Sequence, residues 1–394
     1  MRSIQAPRST RTEGSIHARL LAALAVALIA SGCTGASGAV TPAPSVGAGT
    51  AAPQTVVPVA SPAPVTAPPS ALAAATAPSS VAPSGTPPPP ATPPASVSAY
   101  PLTLIDDEQN KVVLAAAPAR IVSITPATTE ILFALGVGDR LVANTDADDY
   151  PPQVTALPHV ATYSSVDVEK IVGLDADLVI AGGNGFNKPD SLAQLRRLGI
   201  PVLVVYGADI EGVLHDVELI ARAVGVPARG SSLVADMRAA FSAISAATAG
   251  MTHPRVFYEL DATKEIYGPA DRSFIAEMIA LAGGTPITTG STTVFSIPLE
   301  RLIAADPQVI ILGDAAYGTT PEIVAARPGW SAMTAVRTGA ILPIDDTVVT
   351  RPGPRLVEGL RALALAIHPG LVLPALPGTS SASPAPASPG PSST

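Results

Sequence analysis

"PARGSSLVADMRAAFSAISAATAG", residues 227–250, decides how the rest of the chain is read. Leu233, Met237, Ala240, Phe241 and Ile244 recur at helical spacing, Pro227 stands at the start and Gly250 closes the run. That pattern predicts one long helix with an apolar face. On either side of it short apolar runs alternate with helical segments. Before it, "RIVSIT" (120–125) reads as a buried strand, and "PATTEILFALG" as a helix with Thr125 as cap, Pro126 at its first position and Gly136 as stop. "DLVIAGG" (177–183) is a strand ending in a glycine turn; "PDSLAQLRRLG" is a helix, "PVLVVYG" a strand and "IEGVLHDVELIARAVG" a helix. After it, "RVFYEL" (255–260) opens a second series, with helices at "SFIAEMIALAGG" and "PLERLIAAD", the strand "QVIILGD" and a final helix "PRLVEGLRALALAIHP". Such alternation predicts parallel sheets with helices on both faces. The fold class is therefore α/β, with parallel sheets in two lobes joined by a single long spine helix. A helix within one continuous sheet is the alternative that periodicity leaves open.

The two ends of the chain have another character. Arg2, Arg8, Arg11 and Arg19 precede the apolar run "LLAALAVALIA" and small residues up to Gly32, so residues 1–32 read as a secretory signal. The run falls short of the roughly 20 apolar residues that a spanning helix needs. Cys33, the only cysteine, follows at once, in a setting that resembles the bacterial lipobox with Ala30 where Leu is commonest. It is expected to carry a lipid anchor; an ordinary signal peptide with a chance cysteine is the alternative. Residues 33–98 hold no charged and no aromatic residue and are rich in Pro, Ala, Ser and Thr, which predicts a disordered tether. Residues 371–394 read as a tail of the same kind. Between them lie an N-terminal α/β lobe (99–226), the spine (227–250) and a C-terminal α/β lobe (251–370).

The formal charge is −8, and loss of a signal holding four Arg and one Glu makes it more negative. With no basic run, the chain is a poor partner for nucleic acid or an anionic membrane surface. A single cysteine excludes an intramolecular disulfide.

The residues now reach a family. "RIVSITPATTEILFALGVGDRLVANTDADDYPP", "VDVEKIVGLDADLVIA", "SFIAEMIALAGG", "LERLIAADPQVIIL" and "RPGWSAMTAVRTGAILPIDD" stand in an order and spacing that resemble the cobalamin and iron-siderophore class of substrate-binding proteins serving ABC importers. The resemblance covers about Arg120 to Pro369. It implies two α/β lobes with a ligand cleft between them and a binding protein without catalysis, held at the cell membrane outside the cytoplasm, monomeric, with an ABC permease as partner and no intrinsic cofactor. The cargo it implies is cobalamin or a related corrinoid, with a ferric siderophore or haem as the alternative. A surface-tethered enzyme or a sensory module is the reading from outside this class.

Site residues follow from a rule independent of family: ligands of open parallel sheets lie beyond the carboxyl ends of the strands. That nominates Thr125, the stretch "DADDYPP" (146–152), Tyr163 and Phe186 in the first lobe, and Glu259, Asp261, Tyr267, Phe295, Tyr317 and Arg351 in the second. Aromatics make up only 4% of the chain, yet five of these candidates are aromatic and fall in predicted loops, as a large flat ligand requires. By the resemblance, Tyr163 matches a cleft aromatic, Ala147 and Gly182 replace two others, and Phe186 stands where it can make up for Gly182. The resemblance also gives Glu169 and Glu277, one exposed helix glutamate per lobe, the task of docking on permease arginines. Arg351 and Arg355 amid Asp146, Asp148, Asp149, Glu259 and Asp261 favour a neutral or cationic cargo.

Other chemistries lack their residues. His159, His215, His253 and His368 are scattered, without a pair four apart, so no zinc site is expected. No Gly-x-Ser-x-Gly elbow occurs. "GVGDRL" follows a helix where a dinucleotide fingerprint follows a strand, and "GGNGF" opens no helix directly. Asp148 and Asp149 are adjacent and would face opposite ways on an extended strand, a poor acid/base pair.

Overall fold

Two parallel sheets carry the molecule, and the computed structural model describes residues 100–375. Residues 1–32, Cys33, the 33–98 stretch and the tail beyond 375 lie outside the described residues. The chain enters through an antiparallel hairpin, β1 (Leu102–Ile105) and β2 (Lys111–Leu114). The N-lobe then runs β3 (Ile121–Ser123), α1 (Pro126–Ala134), β4 (Leu141–Thr145), β5 (His159–Thr162), β6 (Ser165–Val166), α2 (Val168–Gly173), β7 (Leu178–Gly182), α3 (Pro189–Arg197), β8 (Val202–Val205) and α4 (Ile210–Ala223). The spine is α5 (Pro227–Thr248). The C-lobe follows as β9 (Arg255–Glu259), α6 (Phe274–Leu281), β10 (Thr285–Pro286), α7 (Leu299–Ala305), β11 (Val309–Leu312), α8 (Pro321–Ala325), α9 (Thr334–Thr338), β12 (Ile341–Pro343), α10 (Thr347–Thr350) and α11 (Leu356–Ile367).

The N-lobe sheet has the order β6-β5-β4-β3-β7-β8, parallel throughout apart from the β5–β6 pair. The C-lobe sheet has the order β10-β9-β11-β12, all parallel. In each, the first strand of the lobe has its second strand on one side and a later one on the other, β7 beside β3 and β11 beside β9. The strand order therefore reverses at β3 and at β9, and ligands of such sheets bind beside that reversal. Val202–Val205 and Val309–Leu312 are buried at every position, as strands covered on both faces must be.

The spine does more than connect. Its buried residues Val234, Met237, Ala240, Phe241 and Ile244 share one hydrophobic cluster with Val217 and Ile220 of α4, Met278 and Ile279 of α6, and Leu360 and Leu363 of α11. The lobes thus have a common apolar back, where each fully buried Leu, Ile or Phe contributes about 1.5–3 kcal/mol. The outer face of each sheet has its own cluster, around Val122, Val179 and Leu195 in one lobe and Phe257, Ile310 and Trp330 in the other. Gly230 lets α5 approach α4, because a Cβ there would overlap that of Ala221.

At the free edge of β8 the entry hairpin docks through two side chains and one backbone amide. Asp106 Oδ2 accepts from Val204 N at 3.3 Å, Asp107 N donates to Val204 O at 3.1 Å, and Asp107 Oδ2 accepts from Tyr206 N. The Tyr100 hydroxyl adds a bond to Ala223 O at 2.8 Å. No helix among the described residues is long and apolar enough to cross a membrane.

Candidate functional site

The N-lobe side of the site begins where β3 turns into α1. Thr125 caps the helix, its side chain accepting from Thr128 N at 3.3 Å, and Pro126 takes the first helical position. Beneath it lies a buried hydroxyl network: Ser123 Oγ bonds Thr128 Oγ1 at 2.6 Å and accepts from Thr129 Oγ1 at 2.8 Å. Such a network leaves no orphaned hydroxyl at the strand end. Beside it, after β7, Gly182 N donates to Asn187 Oδ1 at 2.8 Å, and Asn187 Nδ2 reaches Ile124 O at 3.2 Å. This fixes the 182–187 turn over the end of β3. A Cβ at Gly182 would sit 2.9 Å from Thr125 Cγ2 and 3.0 Å from Phe186 Cδ1. Phe186 therefore covers the spot that a side chain on Gly182 would occupy. Tyr163, half-buried at the β5–β6 turn, has its hydroxyl pKa raised by burial.

The C-lobe brings Tyr267 and Phe295 together on neighbouring extended segments. Leu260 N bonds Tyr267 O at 2.9 Å and Gly268 N bonds Phe295 O at 2.9 Å. Both rings are half-buried against the shared core. Tyr317 lies apart on a short turn after β11 and is exposed.

Between the lobes the decisive geometry is ionic. Arg351, just after α10, donates through Nη1 to Glu130 Oε1 at 2.9 Å and to Asp149 Oδ1 at 2.6 Å, and through Nη2 to Ala147 O at 3.3 Å. Arg355 reaches the same Glu130 oxygen at 3.3 Å, faces Glu358 at 3.6 Å, and lies over the Tyr150 ring at 4.3 Å. Burial works against the charge on Arg351, but the hydrogen bonds of Asp149 and Glu130 outweigh it and raise its pKa. Burial pushes Glu130 up, opposed by the two arginines. Burial likewise raises Asp148, against hydrogen bonds from Thr129 and Thr145. Glu130 Oε2 and Asp148 Oδ1 are buried and have no hydrogen-bond partner among the described residues. A second tie between the lobes runs from Ile210 N, at the start of α4, to Glu277 Oε2 at 2.8 Å.

The candidates from sequence thus fall into two sets. Thr125 and Phe186 adjoin one another, as do Tyr267 and Phe295, all beyond strand ends. Arg351 is engaged by two carboxylates. Glu169 is exposed in the first turn of α2, as expected of a solvated residue, whereas Glu277 is half-buried and caps α4. Burial raises the Glu277 pKa, and Asp209 and Glu211 add to it, against the Ile210 bond. Glu130 went unread in the sequence, although its position carried a signal. A charge in the buried run Ala127–Leu132 needs a partner, and "RPGPR" supplies two arginines four residues apart.

A sequence profile of the family described as Periplasmic binding protein matches residues 121–348. The chain belongs to the periplasmic binding protein family. Within it, this binding protein is 32% identical over 275 residues to an ABC transporter substrate-binding lipoprotein, YvrC, of Bacillus subtilis, covering 68% of this chain and 86% of the relative. It is 30% identical over 246 residues to a vitamin B12-binding protein of Vibrio cholerae, covering 61% and 86%. Among solved structures, the periplasmic heme-binding protein RhuT of Roseiflexus matches at 29% identity with a TM-score of 0.56, over 63% of this chain and 97% of that one. The protein is thus a substrate-binding component of an ABC importer, of the type that takes B12, haem or iron complexes, and its relatives are binding proteins and not enzymes.

Proposed function

We propose that this binding protein captures cobalamin or a related corrinoid outside the cytoplasm and delivers it to an ABC permease. One observation carries the choice of cargo: both arginines that reach across the lobes, Arg351 and Arg355, are already paired with Glu130, Asp149 and Glu358. Haem and many ferric siderophores present carboxylates or other anionic groups, which need uncompensated cations. A corrinoid rim presents neutral amides, which hydrogen-bond without such a demand. Thr125, Tyr163, Phe186, Tyr267, Phe295 and Tyr317 supply the polar and aromatic contacts, with Arg351 at the inner wall. In this reading Cys33 is the lipidated anchor, and Glu169 and Glu277 face the permease. The second reading keeps the fold and takes haem; the likeness to RhuT is what favours it.

The test is a titration of the purified protein with cyanocobalamin, haemin and a ferric siderophore, followed by absorbance and melting temperature. Saturable binding of cyanocobalamin with a rise in melting temperature is expected. Binding of haemin alone would replace the corrinoid reading by the second one.

A further inference from the structure

Glu130 stands apart from every other charge at the site. It is 3% exposed, it lies in the N-lobe, and a single oxygen holds two arginines of the C-lobe. Asp149, the other carboxylate on Arg351, is by contrast 60% exposed in its side chain and lies at the rim. Solvent screens a rim charge, while a buried one keeps most of its field. The buried Glu130 therefore sets the potential that a ligand meets at the inner wall between the lobes. Beside it Asp148 is buried too and lacks a cationic hydrogen-bond partner.

From this geometry we infer that Glu130 is a specificity-determining residue, which acts through Arg351 to cancel its charge and so makes the cleft reject carboxylate-bearing ligands in favour of amide-bearing ones of the same shape. The inference rests on the corrinoid reading above and deepens it. Glu130 does not touch the ligand in this scheme; it is a positioning residue whose effect is electrostatic. Its replacement by Gln keeps the volume and leaves a hydrogen-bond acceptor for Arg351, but leaves Arg351 and Arg355 short of one negative charge.

Two probes with one ring system isolate charge from shape: dicyanocobinamide, whose rim is amides, and dicyanocobyrinic acid, whose rim is carboxylates. The full chain should bind the amide form and discriminate against the acid. Glu130→Gln should strengthen binding of the acid about tenfold, with the amide form unchanged within about twofold, a size fitting one charge at intermediate dielectric. Salt should erase much of that gain. Glu130→Gln/Arg351→Gln restores neutrality and should abolish the gain. Asp149→Asn, which leaves the core untouched, should give a smaller gain in the same direction and serves if Glu130→Gln fails to fold. Equal shifts for both probes, or a gain that survives in the double variant, would overturn the inference while leaving the corrinoid reading intact. A wild-type protein that binds neither probe would overturn both.

Discussion

Each lobe winds its strands alike, with its first strand, β3 or β9, between its second and a later one, yet the two lobes treat the charge beyond that strand in opposite ways. Beyond β3 come hydroxyls that satisfy one another, and the carboxylate of Glu130, on the helix that follows, looks across to the other lobe. At the end of β9 stands Glu259, 0% exposed, held inside its own lobe by a two-pronged pair with Arg327 at 2.6 and 2.8 Å. Arg327 is itself held over the Trp330 ring at 4.6 Å. Burial pushes Glu259 up to about 7, and Arg327 pulls the other way. Similar residues therefore serve two ends. The pair within a lobe fixes the 313–330 segment to its strand. The pair between lobes joins two bodies and sets the potential in the gap.

The sharpest way to break this contrast is to remove the arginine on each side. Arg327→Ala leaves Glu259 buried with no cation, and is expected to cost about 3–5 kcal/mol. Chemical denaturation reads that directly; a cost below about 1 kcal/mol would mean that Glu259 simply takes a proton, so the pair is dispensable. Arg351→Ala should cost less, about 1–3 kcal/mol, because Arg355 still reaches Glu130. Equal costs for the two variants would erase the distinction between a bond within a lobe and one between lobes.

A third carboxylate sharpens the comparison because it has no arginine. Asp216, on α4, is 3% exposed, and burial, with the hydrogen bond and charge of Asp107, pushes it up to about 9. Its folded pKa lies above its unfolded one, so the stability it contributes is complete in acid and lost as pH rises through about 9. Asp216→Asn cannot ionise and can still donate to Asp107. Its melting temperature should exceed that of the wild type by a margin that grows with pH, by up to roughly 1.4 kcal/mol per pH unit, and levels off above about 9. A margin constant with pH would show that the Asp216 carboxyl does not titrate in this range.

What the sequence revealed and what it hid follow from distance along the chain. Thr125, Pro126 and Gly136 announce α1 because capping is local, and Gly136 indeed takes φ +70°. The spine is legible for the same reason, since periodicity is a property of neighbouring residues. The strands β6, β10 and β12 and the helices α8 to α10 are too short to show a period. The Arg351–Glu130 pair joins residues 221 apart, and the Glu277–Ile210 bond residues 67 apart. No local pattern encodes such meetings, so Arg351 reads as a free cation and Glu277 as a solvated carboxylate until the chain is folded. The strand-end rule and the resemblance nominate the loop aromatics without placing them, and the adjacency of Thr125 and Phe186 across Gly182 depends on the turn that Asn187 holds.

The hairpin at β8 has a consequence for the life of the protein in a crowded envelope. A sheet edge with bare N–H and C=O groups is a template on which a strand of another molecule can crystallise, the first step of aggregation. Here Asp106 and Asp107 occupy the outward groups of Val204 and the amide of Tyr206. The other edges are blunted as well: β6 and β10 have two residues each, and both β10 and β12 end in proline. An incoming strand would have to displace two charged side chains at one end, or grip a stub of two or three residues at the others.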